Sequence, residues 1–321
     1  MEDMKAILLK RRAEILKDGR SFFDRRGYLE VETPYLVKSP GEEVHLRVFS
    51  TFLEHPQGGK SQRFLHTSPE FAMKRFVAAT KMPIYQFARV WRNAEGSDHH
   101  HPEFTMLEWY RPSADLESLM QETQDFVQAL LPSKVFRHGD EIMISQDFER
   151  VKMSEAFEKY VDADVLGTIG NANALADQAG VALREGEGWE DLFFRLLLEK
   201  IEPHLGKNKP TFLTHWPAPQ AALAKLNPQD SREALRFELY AGGLELANAF
   251  EELSDVAEQR RRFELDRKRR EALYPDQKWE MDEAFLEGLK DLPDCSGIAL
   301  GFDRLVMLAT NAPKITDVIW I

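Results

Sequence analysis

Two adjacent glycines, Gly242 and Gly243, separate the alternating runs 236–240 and 244–249. The tightest hairpin turn needs positive φ at both central positions, which glycine adopts without steric cost, so this spacing predicts an antiparallel strand pair. A second pair is predicted at 84–91 and 104–110, rich in aromatic and β-branched residues and separated by the polar, histidine-bearing stretch 92–103. Helical spacing of apolar residues predicts helices at 4–26, 71–79, 114–131, 153–160, 189–201 and 254–273. A short strand stopped by Pro34 is expected at 28–34, and a small-residue strand at 297–301 leads into a helix at 302–308. Helices beside antiparallel hairpins, without β-α-β alternation, indicate an α+β fold with an antiparallel or mixed sheet flanked by helices. No G-x-G-x-x-G follows a strand and no G-x-x-x-x-G-K-[ST] occurs, so Rossmann and P-loop readings find no support.

The 321 residues are read as a single catalytic domain, 1–321, with 132–188 as an insertion because that stretch carries the fewest motifs. One cysteine, Cys295, can form neither an internal disulfide nor a cysteine-based zinc site, which fits a reducing compartment. The charged N-terminal stretch lacks a secretion signal, and nowhere do about 18 apolar residues run together, so a cytoplasmic protein without a membrane span is expected. A net charge of −12 argues against an extended grip on nucleic-acid phosphates. The basic cluster Arg260, Arg261, Arg262, Arg267, Lys268, Arg269 and Arg270 is read as a solvated helix face.

Three separated strings are more specific than structure alone requires: Gly27-Tyr28-Leu29-Glu30-Val31-Glu32-Thr33-Pro34, the segment from Arg92 through Tyr110, and Gly297-Ile298-Ala299-Leu300-Gly301-Phe302-Asp303-Arg304. In this order they resemble the three signature motifs of class II aminoacyl-tRNA synthetases. Two further strings, Pro102-Glu103-Phe104-Thr105-Met106-Leu107-Glu108-Trp109-Tyr110 and Glu245-Leu246-Ala247-Asn248-Ala249-Phe250-Glu251-Glu252-Leu253, together with Ser68-Pro69-Glu70, resemble the lysyl branch.

The resemblance implies ATP-dependent activation of an amino acid. Attack of a carboxylate on the α-phosphate of ATP brings two anions together, and fixed arginines offset that repulsion. Arg92 would hold the α-phosphate and the attacking carboxylate, and Arg304 would lie along the γ-phosphate. Arginine's planar, permanently charged fork suits both. The resemblance also places Asn93, Ala94, His101, Phe104 (stacked on adenine), Glu245, Leu246 and Gly301 at ATP, and Glu238 with Glu245 at Mg2+. Structural alternatives are a surface salt bridge for Arg92, an ion pair between Arg304 and Asp303, and a core aromatic for Phe104. The run His99-His100-His101 is not read as a metal site, because neighbouring strand residues point to opposite faces.

For a lysine-type substrate a buried ammonium must be paired. Glu70 would take the α-ammonium and Glu108, Tyr110 and Glu252 the distal one, with Ser68, Pro69, Asn248, Phe250 and Ala299 lining the pocket. Arginine-x-glutamate is the usual second-motif pattern, but here it reads Arg92-Asn93-Ala94, with Glu95 one place further on. Ala299 replaces the middle of three alternating glycines, as in the lysyl-synthetase paralogues that modify elongation factor P and prefer β-lysine. Only 26 residues precede Gly27, too few for an anticodon-binding barrel of about five strands. No N-terminal anticodon-binding domain is therefore expected, and the resemblance implies elongation factor P as acceptor in place of tRNA, with lysine or β-lysine as donor. The alternative is a truncated lysyl-tRNA synthetase-like enzyme charging tRNA or a small-molecule acceptor. The first motif resembles the family's dimer-forming segment, which implies a homodimer.

Overall fold

A computed structural model describes residues 4–320. The chain forms two compact units, one of residues 4–115 with 252–320 and the other of residues 116–251.

In the first unit, strand Leu29–Glu30 runs parallel to Ile84–Trp91, which pairs antiparallel with Glu103–Pro112, which in turn pairs antiparallel with Cys295–Gly301. The expected strand at 28–34 is thus only two residues long. Val31 N still donates to Tyr85 O at 2.9 Å, but beyond it the chain departs toward Pro34, which has no N–H for a ladder. Helix Met4–Asp24 buries Ile15, Phe22 and Phe23, and the Phe23 ring stacks on Tyr85 at 4.6 Å. Its apolar stripe is therefore explained by one face of the sheet.

Helix Val256–Leu273 departs from the solvated face expected of its basic cluster. Arg260, Arg261 and Arg262 do make exposed or half-exposed ion pairs with Glu283 and Glu258. Arg270, however, is 1% exposed, pairs with Glu42 at 3.0 Å and lies 3.8 Å over the Trp279 ring. A buried cation needs such a partner, and burial, opposed by Arg270, pushes the Glu42 carboxyl up to about 7.

In the second unit, strand Glu149–Lys152 runs parallel to Thr211–Pro217, which pairs antiparallel with Glu233–Ala241, itself antiparallel to Leu244–Glu251. The glycine turn forms as expected, with φ of 60° at Gly242 and 72° at Gly243. Segment 132–188 contributes the strand Glu149–Lys152 and the helices Met153–Val161 and Ala172–Ala179 to this unit. Phe157, Trp189, Phe193 and Trp216 form its aromatic core, with Phe157 stacked on Phe193 at 5.2 Å. The continuous helix expected over 189–201 instead ends at Leu196 and widens into a π-turn at Leu197–Ile201.

Candidate active site

Strands Glu103–Pro112 and Cys295–Gly301 set Glu108 opposite Ala299 and Tyr110 opposite Gly297. With a side-chain period of two, these four positions share one face, joined by Gln86 opposite Glu108 on the neighbouring strand. A Cβ at Gly297 would collide with the Tyr110 ring and the Glu252 carboxylate, so this glycine is required by close approach. Ser68 donates to Glu108 at 2.6 Å and Tyr110 donates to its other oxygen at 2.9 Å. Glu70 opens helix Glu70–Thr80 behind the buried Pro69, with its N–H given to Ser68 Oγ at 3.0 Å. Glu252 N donates to Cys295 O at 2.9 Å, which fixes that carboxylate beside the last strand. Ser68, Pro69, Glu70, Glu108, Tyr110, Glu252 and Ala299 thus fall within one cluster. A cavity of about 540 Å³ opens at Ser68 and Glu70, with Ser39, Glu43 and Arg75 on its walls.

This cluster is strongly polarised. Burial, reinforced by Glu70, pushes the Glu108 carboxyl up to about 8 against the opposing Ser68 and Tyr110 hydroxyls and the Lys74 ammonium. Burial also drives the Tyr110 phenol well above its usual range, helped by Glu108, Glu70 and Glu252. Such surroundings favour an incoming cation.

Arg92 follows strand Ile84–Trp91, and its N–H donates to Pro102 O at 2.9 Å across the histidine loop. Its guanidinium lies 5.3 Å from the Phe104 ring and 3.9 Å from the Glu95 carboxylate. The buried Arg92 Nε has no hydrogen-bond partner among the described residues, which suits a group poised for an anion. Phe104 is half-buried beside Ala88, Val90 and Met106, with Ala299 packed on the same cluster. Asn93 Oδ1 accepts from Ala94 N at 2.8 Å, and Ala94 is exposed in a left-handed conformation with φ of 61°. His101 Nδ1 lies 2.7 Å from Glu103 O.

Arg304 does not pair with Asp303. Its terminal nitrogen is 2.7 Å from His100 Nε2 and its Nε donates to His99 O at 3.4 Å. Asp303 points the other way, into the interior, because Arg12 reaches it at 2.7 Å and Thr105 N donates to it at 2.7 Å. Gly301 caps the helix Phe302–Thr310 that carries Arg304.

In the second unit, Glu238 is 6% exposed, not on a solvated face, and receives Arg236 at 2.6 Å and Tyr240 OH at 2.5 Å. Burial first and Glu245 second push its carboxyl up to about 7. Such a like-charge pair is relieved by a hard cation, so these two acids fit Mg2+. Leu246 is buried, while Asn248 accepts from Arg236 at 3.1 Å and the Phe250 ring lies 5.7 Å from the same guanidinium.

Sequence reasoning missed Lys74, Gln86, Arg236 and His100. Lys74 stands four residues after Glu70, a helical spacing that brings the two together, and its Nζ lies 2.6 Å from Glu70 and 2.5 Å from Glu252. That spacing was the available signal. Nothing in the local sequence marks the register of Gln86 or the aromatic stack of Arg236 on Trp216 at 4.0 Å.

An α+β sheet with Arg92 after one strand, Arg304 on the helix that follows another, and the carboxylate cluster of Glu70, Glu108 and Glu252 fits an adenylate-forming synthetase core. The family of class II tRNA synthetases (D, K and N) matches residues 1–320, and the chain belongs to it. Among curated relatives, a Proteus mirabilis (strain HI4320) protein named elongation factor P–(R)-β-lysine ligase is 42% identical over 318 residues, covering 97% of this chain and 93% of the relative. Relatives of the same name from Salmonella dublin and Salmonella heidelberg (strain SL476) are each 43% identical over 320 residues, with the same coverage. Among the described residues, no helix is long and apolar enough to cross a membrane.

Proposed function

We propose that the chain is an ATP-dependent ligase that activates (R)-β-lysine, or lysine, as an adenylate and transfers it to a lysine ε-amine of elongation factor P. The observation that carries this reading is the carboxylate cluster of Glu70, Glu108 and Glu252, in which the single ammonium of Lys74 leaves negative charge for a cationic amino acid to meet. In the first step a substrate carboxylate oxygen attacks the α-phosphorus and the bond to pyrophosphate breaks. Arg92 steadies the two approaching anions, and Arg304 draws the leaving phosphates away from the reacting centre. Phe104 supplies an aromatic face for adenine, beside which Asn93, Ala94, His101 and Gly301 are assigned nucleotide contacts; Leu246 is assigned one by family resemblance. Mg2+ held by Glu238 and Glu245 would neutralise phosphate charge. In the second step the deprotonated acceptor amine attacks the carbonyl carbon, AMP leaves, and one proton passes to solvent.

The net charge of −12 disfavours tRNA as acceptor. Exposed Leu29 and Leu36, 40% and 42% accessible, support a homodimer through the first motif, and the translation-linked chemistry supports a cytoplasmic location. The direct test is pyrophosphate exchange with each lysine isomer, followed by label transfer to purified elongation factor P or bulk tRNA. Labelled factor with unlabelled tRNA is expected; the reverse would overturn the acceptor, and absence of exchange with both isomers would overturn the chemistry.

Two outcomes follow from the pocket. Ala299→Gly removes one methyl opposite Glu108 and is expected to shift preference toward α-lysine by about tenfold, read as the ratio of kcat/KM values. An unchanged ratio would exclude Ala299 as the selector. A raised Glu108 carboxyl holds a proton in the empty pocket at neutral pH, among Glu70, Lys74, Ser68 and Tyr110. A bound ammonium favours the ionised form, so that proton is released and lysine affinity rises with pH, by up to about tenfold per unit, until about pH 8. Calorimetry at pH 6, 7 and 8 in buffers of different ionisation heat measures this. A flat affinity with no buffer-dependent heat would refute it.

A further inference from the structure

We propose that Lys74 is a built-in counter-cation of the amine pocket, a positioning residue that cancels one of three buried carboxylate charges and so matches the pocket to a substrate carrying two ammonium groups. The proposal rests on the lysine-type substrate argued above.

An ammonium already stands among the acids. Lys74 is 2% exposed, and its Nζ bridges Glu70 Oε1 at 2.6 Å and Glu252 Oε2 at 2.5 Å. Those carboxylates come from the start of one helix and from position 252, so Lys74 ties together two segments remote in sequence. Glu108 stands apart from this bridge, held by the Ser68 and Tyr110 hydroxyls. With all four groups ionised, three carboxylates and one ammonium leave two negative charges.

Lysine and β-lysine each bring two ammonium groups, and their carboxylate is the group that reacts beside Arg92. Glu43, the other carboxyl near Glu70, is pushed up by burial first and Glu70 second, against Arg92 and Arg270, which favours its neutral form and leaves it outside the count. An uncompensated buried charge is costly. The filled pocket is therefore neutral with a diammonium substrate, one charge short with norleucine, and one charge in excess if Lys74 is removed. Lys74 thereby contributes to selection without being consumed or deprotonated, while holding Glu70 and Glu252 in a common orientation.

A charge-matching role differs from a packing role in how substitutions combine. The test is lysine- and norleucine-dependent pyrophosphate exchange, with thermal melts, on the full chain and on Lys74→Met, Glu252→Gln and the double variant. Lys74→Met leaves two carboxylates facing each other and is expected to raise the lysine KM by about 100-fold, with a smaller effect on kcat. Glu252→Gln leaves a single net negative charge, and is expected to raise the lysine KM while narrowing the preference for lysine over norleucine. The double variant restores two negative charges and is expected to bind lysine at least about tenfold better than the product of the two single losses. Losses that simply multiply, or an unchanged KM in Lys74→Met, would overturn the proposal.

Removing both partners leaves neither charge buried alone, so the double variant is expected to fold even if Lys74→Met does not. In that case a lower lysine KM in the double variant than in Glu252→Gln supports the proposal, and an equal or higher one overturns it. A double variant that does not fold would assign Lys74 to packing and overturn it too. Wild-type chain without exchange for either isomer would instead remove the lysine reading on which the proposal stands.

Discussion

Replacing Arg92 by alanine is expected to lower lysine-dependent pyrophosphate exchange by about a thousandfold, chiefly in kcat. Its guanidinium is fixed before any ligand arrives, by the backbone bond to Pro102, the Phe104 ring at 5.3 Å and Glu95 at 3.9 Å. Preorganised charge of this kind acts where two anions must approach, and the loss falls on the transition state more than on lysine binding. The amine pocket is built from other residues, but the lysine carboxylate also meets Arg92, so lysine affinity in the absence of ATP is expected to fall by only about tenfold, far less than exchange. Arg92→Lys is expected to rescue little, because a point ammonium cannot reproduce the planar fork. Exchange rates within tenfold of wild type in Arg92→Ala, or an equal loss of lysine affinity, would remove Arg92 from the role assigned to it.

Much of this architecture was legible because local patterns carried it. Strand Ile84–Trp91 was delimited to the residue by its aromatic and β-branched content, and the helix expected at 254–273 from its charge and length forms over Val256–Leu273. Gly242-Gly243 identified a hairpin by the one backbone property that glycine alone supplies cheaply. The acids Glu70, Glu108 and Glu252 were legible as a set only through family resemblance, since they lie on three separate segments.

What stayed illegible depends on partners remote in sequence. A lysine in mid-helix reads as a solvated face until position 252 arrives beside it, and Arg270 reads the same way until Glu42 and Trp279 enclose it. Arg304 beside Asp303 reads as an ion pair, yet successive helix residues point about 100° apart, and the two side chains serve different neighbours. The strand at 28–34 was overestimated because alternation continues beyond Glu30 after its pairing partner has been lost. Ala94 is left-handed and exposed, a conformation that no composition rule assigns to alanine.

Asp303 offers the largest expected effect on the fold itself. It is fully buried; one carboxylate oxygen takes Arg12 Nε at 3.2 Å and Arg12 NH2 at 2.7 Å, and the other takes Thr105 N at 2.7 Å. Arg12 in turn reaches Thr105 Oγ1 at 2.9 Å and lies 5.0 Å over the Phe302 ring. Three elements, the N-terminal helix, strand Glu103–Pro112 and helix Phe302–Thr310, are thus joined through one carboxylate. Asp303→Ala leaves the guanidinium and a buried N–H without their acceptor and is expected to cost about 3–5 kcal/mol. In a thermal melt this corresponds to a Tm lower by roughly 6 °C or more. Arg12→Met combined with Asp303→Ala removes the orphaned cation as well and is expected to recover part of the loss, because the penalty lies in the unpaired partner more than in the missing bond. An unchanged Tm in Asp303→Ala, or a double variant as unstable as the sum of the singles, would show that this carboxylate does not hold the three elements together. Because Asp303 directly precedes Arg304, the same variant is expected to lose exchange activity at temperatures where it is still folded. That loss would tie the positioning of the phosphate-facing arginine to an N-terminal residue 291 positions away from Asp303.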